Sequence, residues 1–221
     1  MGASRVSGAS RAAALELVPA LRKIEGELSV YEQLLQRWQA KINLVAPNTL
    51  GDVWLRHFAD SAQVAECAPE ARIWADIGSG AGFPGLVTAL LRKGVDGALV
   101  HLIESDQRKA AFLRAVSRET GAPVEIHAER IEKALPPLAG KVEAISARAL
   151  APLARLVEMT REPLENGAKA VFLKGEEWRD ELTAAQPVGN FTYETVQSRT
   201  HKRARLIVVH SPSEADFVRR K

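Results

Sequence analysis

From Arg72 onward, short apolar runs alternate with longer amphipathic ones. The runs Arg72–Ile77, Ala98–Ile103, Val124–Ala128, Val142–Ala147 and Lys169–Lys174 are rich in β-branched and apolar residues, as strands buried on both faces are. Between them, Gly85–Lys93, Gln107–Thr120 and Pro152–Arg161 carry apolar residues at helical spacing. That alternation predicts βαβ units and a mostly parallel sheet covered by helices. A further helix is expected at Glu176–Ala185, then two strands at Phe191–Ser198 and Ala204–His210. Their short separation predicts an antiparallel hairpin at the sheet edge, which brings the count to seven strands.

Before the sheet the rhythm is helical. Ser29 and Glu32 have capping-box spacing, and Tyr31, Leu34, Leu35, Trp38 and Ile42 form one apolar stripe that Pro47-Asn48 ends. A second helix is predicted over Leu50–Ala65, with Val53, Trp54 and Phe58 towards the core. Trp38, Trp54 and Trp74 are expected core residues. The chain therefore divides into a tail and helical cap over residues 1–66 and an α/β domain over residues 67–221. No internal repeat or low-complexity linker interrupts it.

Composition narrows the class. With 221 residues, 46% of them hydrophobic, the chain suits one α/β domain with an appendage. No window approaches the run of about 18 apolar residues that would cross a bilayer. Signal-peptide and myristoylation patterns are missing (residue 6 is Val6), and the acid-free residues 1–15 read as a frayed tail. The single cysteine, Cys67, excludes an internal disulfide and fits a reducing, cytoplasmic setting. Five histidines show neither H-x-x-x-H nor H-E-x-x-H spacing, so no metal site is expected.

Net charge is +3 but unevenly spread. Residues 193–221 hold seven Lys/Arg against three Asp/Glu, whereas residues 1–66 hold seven of each. Arg199, Lys202, Arg203 and Arg205 fall in the predicted hairpin turn without an intervening acid. A solvated edge or an anionic partner explains such a run equally well.

The strongest chemical signal is Asp76-Ile-Gly78-Ser-Gly80-Ala-Gly82-Phe83-Pro84-Gly85, directly after the first strand and opening a helix. Glycines there let the backbone turn tightly and approach a nucleotide cofactor. Gly80, Gly82 and Gly85 also satisfy the dinucleotide pattern, so charge must decide between ligands. Asp76 would repel a pyrophosphate but attract the ammonium and sulfonium of S-adenosylmethionine, by about 4 kcal/mol at 4 Å and an effective dielectric near 20. Glu104, ending the second strand, is placed to accept ribose hydroxyls from either ligand.

The tip of the fourth strand, Ile145-Ser146-Ala147-Arg148, has no Asn/Asp-Pro-Pro-aromatic motif for amine methylation. Cys67, before the first strand, is misplaced as a nucleophile for cytosine carbon. Nor does a general base stand at that tip. An acceptor with an in-plane lone pair and no proton to lose, such as N7 of guanine, needs positioning and charge stabilisation instead.

In chain order the motifs are Leu34…Trp38…Asn43-Leu44, Arg56-His57-x-x-Asp60-Ser61, the Asp76–Gly85 loop, Lys109-x-x-Phe112-Leu113, Ser146-Ala147-Arg148-Ala149 and Lys174-Gly175. Together they resemble the bacterial 16S rRNA guanine-N7 methyltransferase family, also called ribosomal small-subunit methyltransferase G or glucose-inhibited division protein B, over roughly residues 30–210. The resemblance implies a Rossmann-like class I methyltransferase that uses S-adenosylmethionine to methylate N7 of the guanine at position 527, in the 530 loop of 16S rRNA, within the small ribosomal subunit. It also implies cofactor contacts at Gly78, Phe83, Ile131, Glu132 and Arg148, with Phe83 packing on adenine.

Individual residues carry paired readings. Arg148 either holds the cofactor carboxylate or orients guanine through O6, with a plain strand-end arginine as the bland alternative. Lys174 is a phosphate contact or a solvated lysine. Arg56 and Asp60 form a helical i,i+4 pair or, with His57, meet the substrate. Trp178 stacks on a base or packs internally. Two other functions stay open from the residues alone: a dinucleotide-dependent oxidoreductase, and an RNA-binding module without catalysis.

Overall fold

The computed structural model describes residues 2–212, with side chains from residue 8 onward. Helix α1 spans Gly2–Leu17 and α2 spans Glu25–Gln39, joined by a 3-10 turn at Pro19–Ile24. A 3-10 turn at Pro47–Asp52 leads into a π-helical segment, Trp54–Ala59, and then α3, Asp60–Cys67. The alternating region follows: β1 Ile73–Ile77, α4 Gly85–Leu91, β2 Leu99–Ile103, α5 Gln107–Thr120, β3 Val124–His127 and α6 Ile131–Ala134. It continues with β4 Ala144–Arg148, α7 Leu153–Met159, α8 Arg161–Glu165, β5 Lys169–Lys174, α9 Trp178–Ala185, β6 Thr192–Gln197 and β7 Arg205–His210.

The seven strands form one sheet in the order β3-β2-β1-β4-β5-β7-β6. The first five are parallel; β7 runs antiparallel between β5 and β6, so the predicted edge hairpin is present. Each strand end lies within two residues of its predicted place. Local chemistry accounts for the sharpest boundaries. Asp106 caps α5 by accepting from the amides of Arg108 and Lys109, and Gly121 in the left-handed region ends it.

One face of the sheet packs Trp74, Val100 and Leu102 against α4, α5 and the N-terminal helices, through Leu21, Leu28, Tyr31, Leu35, Trp54 and Phe58. The other packs Ala75, Ile77, Ile145 and Phe172 against Leu135, Leu153, Leu156, Val157 and Leu164. Trp54 and Trp74 are fully buried and Trp38 is partly so.

Three N-terminal expectations are corrected. Residues 1–15 are expected as a frayed tail, but α1 runs from Gly2 to Leu17 and its Ala14 and Leu15 are buried. Ser29 is not a cap: α2 begins a turn earlier, and the Ser29 hydroxyl donates to the Glu25 carbonyl inside the helix. The single helix predicted over Leu50–Ala65 is three successive geometries, 3-10, π and α. Of the seven basic residues counted in 193–221, three (Arg219, Arg220 and Lys221) lie outside the described residues.

The strand order reverses between β1 and β4, so the loops leaving their C-terminal ends diverge and open a crevice there. Because β7 runs the other way, the β6–β7 turn returns to this same edge, and Arg205 pairs in register with Lys174.

Candidate active site

Alternation along neighbouring strands sets the floor of the crevice. Asp76 of β1 and Ser146 of β4 are register partners, and Arg148, two residues on, shares their face. Asp76 is fully buried; its Oδ1 accepts from Ser146 Oγ at 2.6 Å, and Oδ2 lies against Gly85 without a well-formed hydrogen bond. Burial pushes its pKa up to about 6, against the hydrogen bond from Ser146 and the pull of Arg148.

The loop above turns through Gly78, Gly80 and Gly82, all at positive φ. The Gly80 amide donates to Glu104 Oε2 at 2.9 Å and the Asp106 amide to Oε1 at 2.7 Å, which ties the loop to the end of β2. A Cβ on Gly80 would meet nothing nearer than 3.8 Å, so this position faces open space. A Cβ on Gly82 would sit 2.3 Å from Leu86 Cδ1 and 2.6 Å from the Tyr31 hydroxyl. Gly82→Ala is therefore expected to cost about 2–4 kcal/mol of stability in urea unfolding, whereas Gly80→Ala should cost only the left-handed strain of about 1–2 kcal/mol.

A cavity of about 560 Å³ opens over this loop, lined by Gly78, Gly80, Phe83, Glu104, Ile131, Glu132 and Arg148. That volume suits a nucleoside-sized ligand. Asp76, beneath the loop, and Gly82, whose Cβ side turns inward against Leu86 and Tyr31, are expected as cofactor contacts but do not line this cavity. Phe83 is mostly covered, its ring stacked between Tyr31 and His57 at centroid distances of 5.3 and 4.9 Å. Tyr31 donates to the Ala81 carbonyl, a tie between α2 and the glycine loop that apolar periodicity alone does not disclose.

A second cavity of about 670 Å³ adjoins it, lined by Arg56, His57, Asp60, Lys174, His201 and Arg205 among others. The two share the wall Arg148–Ala149–Leu150–Ala151. Ala149 has φ +52°, the one non-glycine in the left-handed region among the described residues, so backbone strain is concentrated where the cavities meet.

Arg148 is the joint. Its guanidinium donates to His57 Nδ1 at 2.7 Å and to the Arg56 carbonyl at 3.2 Å, lies 3.7 Å from Asp60 and sits over the Phe83 ring at 5.2 Å. These contacts fix the histidine's proton. Nδ1 accepts from Arg148, so Nε2 carries the hydrogen and donates to Thr49 Oγ1 at 2.8 Å, and Thr49 in turn donates to the Ala46 carbonyl. Burial, reinforced by Arg148 and Arg56, pulls the His57 pKa down to about 3, so it is neutral at any working pH.

The expected Arg56–Asp60 pair is replaced. Asp60 accepts instead from Thr200 Oγ1 at 2.6 Å and faces Arg148, because the π-turn carries residue 60 out of line with residue 56. Lys174 is not a free phosphate ligand either: Nζ is buried, 2.6 Å from Glu181 and 2.7 Å from the Ala151 carbonyl. Glu181 also accepts from the Leu153 amide, so this pair clamps the strained wall.

In the basic turn, Arg199 pairs with Glu66 and Arg203 with Glu176, while Lys202 is exposed and has no ion-pair partner among the described residues. Arg205 lies over Trp178 at 5.0 Å, with Arg179 at 4.5 Å from the same half-buried ring. Cys67 is half-buried, and burial raises its pKa to about 11, consistent with an inert thiol.

Comparison with known proteins gives one consistent result. The family model described as rRNA small subunit methyltransferase G matches residues 24–208. A ribosomal RNA small subunit methyltransferase G from Bradyrhizobium sp. (strain BTAi1) is 44% identical over 94% of this chain and 93% of its own length. Among solved structures, a putative O-methyltransferase from Klebsiella pneumoniae aligns with TM-score 0.59 at 14% identity, over 93% of this chain and 99% of that one. A methyltransferase from Geobacter sulfurreducens aligns with TM-score 0.56 at 13% identity, over 85% and 89%. At such low identity the structural likeness speaks to the fold alone.

Proposed function

Because this chain belongs to the rRNA small subunit methyltransferase G family, we propose that it transfers a methyl group from S-adenosylmethionine to N7 of the guanine at position 527 in 16S rRNA. In this reading residues 67–221 form the methyltransferase unit and residues 1–66 cap it. The substrate is small-subunit rRNA, so the enzyme acts in the cytoplasm. The observation that carries the reading is the pair of adjoining cavities with Arg148 in their common wall.

The first cavity fits the donor. Gly78 and Gly80 let its methionine end approach the backbone, Glu104 accepts from the ribose, and Ile131, Glu132 and the edge of Phe83 border the adenine. Asp76 acts from behind the loop, where its negative charge favours a cation above over a pyrophosphate. When bound, S-adenosylmethionine supplies an electrophilic methyl on a sulfonium.

The second cavity takes the acceptor. Its three acids are all ion-paired, Asp60 with Arg148, Glu176 with Arg203 and Glu181 with Lys174. His57 is neutral, with both ring nitrogens bonded. A wall whose acids are already engaged suits an acceptor that needs no deprotonation, as guanine N7 does. Arg148 directs its charge towards the junction, where it orients the base through O6, while Lys174 and Glu181 hold the wall. Lys202 and Arg205 meet backbone phosphates.

Small subunits from a strain lacking this enzyme, incubated with labelled donor, should gain one N7-methylguanine at that position. Label at another nucleotide, or none, would overturn the reading. With Lys202→Ala or Arg205→Ala, the salt slope of subunit binding should fall by about one unit per contact removed, with donor affinity unchanged.

A further inference from the structure

The parallel pairing of β2 with β3 places His101 in register with Glu125 and Ile103 with His127. Since alternate residues share a face, His101, Glu125 and His127 project from one side of the sheet at its β3 edge. Their donor atoms converge: His101 Nδ1 is 3.0 Å from His127 Nε2 and 3.5 Å from Glu125 Oε2, and His127 Nε2 is 3.8 Å from Glu125 Oε1. Ligands at the usual 2.0–2.1 Å from a tetrahedral zinc ion are separated by about 3.3 Å. The two imidazole nitrogens stand near that spacing, each faces a different oxygen of the Glu125 carboxylate, and one ligand atom from each residue falls within 4.8 Å of the others. The imidazoles are largely covered, with side-chain exposures of 7% and 16%, whereas Glu125 is 58% exposed and leaves room for a water on the solvent side.

We propose that His101, Glu125 and His127 form a binding site for one divalent transition-metal ion, with Zn²⁺ as the natural occupant. Two neutral imidazoles and a carboxylate are ligands that Zn²⁺, Co²⁺ and Ni²⁺ accept and that Mg²⁺ and Ca²⁺ do not favour. Residues 24 and 26 positions apart along the chain form the set, which is why short-range histidine spacing predicts no metal site. The ion braces the two strands at the root of the proposed ribose ligand, because the Glu104 amide donates to the His127 carbonyl at 3.0 Å. Coordination replaces the direct His101–His127 hydrogen bond, since both nitrogens must present lone pairs to the metal.

The full-length protein, stripped with chelator and desalted, should bind one equivalent of Zn²⁺ in calorimetry and melt at a higher temperature with it. Cobalt should give a visible ligand-field band. His127→Ala and Glu125→Gln alter the more exposed ligands and should leave the fold intact by circular dichroism, yet weaken binding by about 10-fold or more and abolish the cobalt band. His101→Ala should do the same, with some loss of stability from its buried position. Zinc binding of equal affinity in all three variants, or no saturable binding by the parent, would show a purely hydrogen-bonded His–His–Glu cluster and sink the proposal.

Discussion

Replacing Arg148 with alanine is expected to lower kcat/KM for methyl transfer by about 10²-fold or more, the scale of loss that misplacement of the reacting groups brings. The guanidinium holds His57, the Arg56 carbonyl and the Phe83 ring together, and it borders both cavities. Its removal leaves Asp60 without its cation and merges two compartments that must hold donor and acceptor in line. Arg148→Lys keeps the charge but cannot reach Nδ1 and the carbonyl at once, so it should recover little activity. Single-turnover assays separate chemistry from binding: the rate of the chemical step should collapse while the folded state, followed by circular dichroism, persists. Activity within about threefold of the parent would show that Arg148 is only a structural strap.

The second large effect runs in opposite directions for stability and function. Asp76 has a folded pKa near 6 against an ordinary 3.8, so the unfolded chain gives up its proton first. Stability from this group is therefore greatest below about pH 4, falls as pH rises towards 6, and is flat above. At pH 7 the carboxylate is ionised, fully buried and bonded well through one oxygen. Asp76→Asn removes that charge, and in either amide orientation Ser146 keeps a partner. The variant should be more stable by about 1–3 kcal/mol at pH 7, with the gain vanishing near pH 4. Urea midpoints at the two pH values test this; a destabilised variant at pH 7 would show that the charge is better solvated than its burial indicates. The same change should weaken donor affinity by at least about 10-fold, because the attraction beneath the cationic ligand is gone.

Much of this site was legible before any coordinates, and the reason is locality. The Asp76–Gly85 loop is contiguous, each strand of the parallel core is marked by its own apolar run, and the basic turn lies between two short strands. What escaped depends on distant register. Spacing alone offers Asp60 either Arg56, four residues away, or the substrate, whereas it turns to Arg148 and Thr200 because the backbone between is wound in π geometry. Lys174 reads from sequence as a phosphate contact or a solvated lysine, because no motif announces its pairing with Glu181. Asp76 precedes the glycines, which suggests direct contact with the ligand, and strand alternation buries its side chain in the sheet's packed face beneath the loop. The His101–Glu125–His127 cluster is invisible to motif spacing for the same reason: parallel pairing, not proximity along the chain, assembles it.

The wide-wound stretch Trp54–Ala59 has a consequence for how this chain can change over time. Such a winding is an α-helix with one residue too many, and deleting Phe58 or Ala59, the two residues between His57 and Asp60, would let the turn relax to ordinary geometry. His57 and Asp60 would then swing round relative to each other by roughly a quarter turn, and the arginine they jointly grip could satisfy only one of them. A variant shortened there would gain a more regular helix at the expense of the shared grip on Arg148.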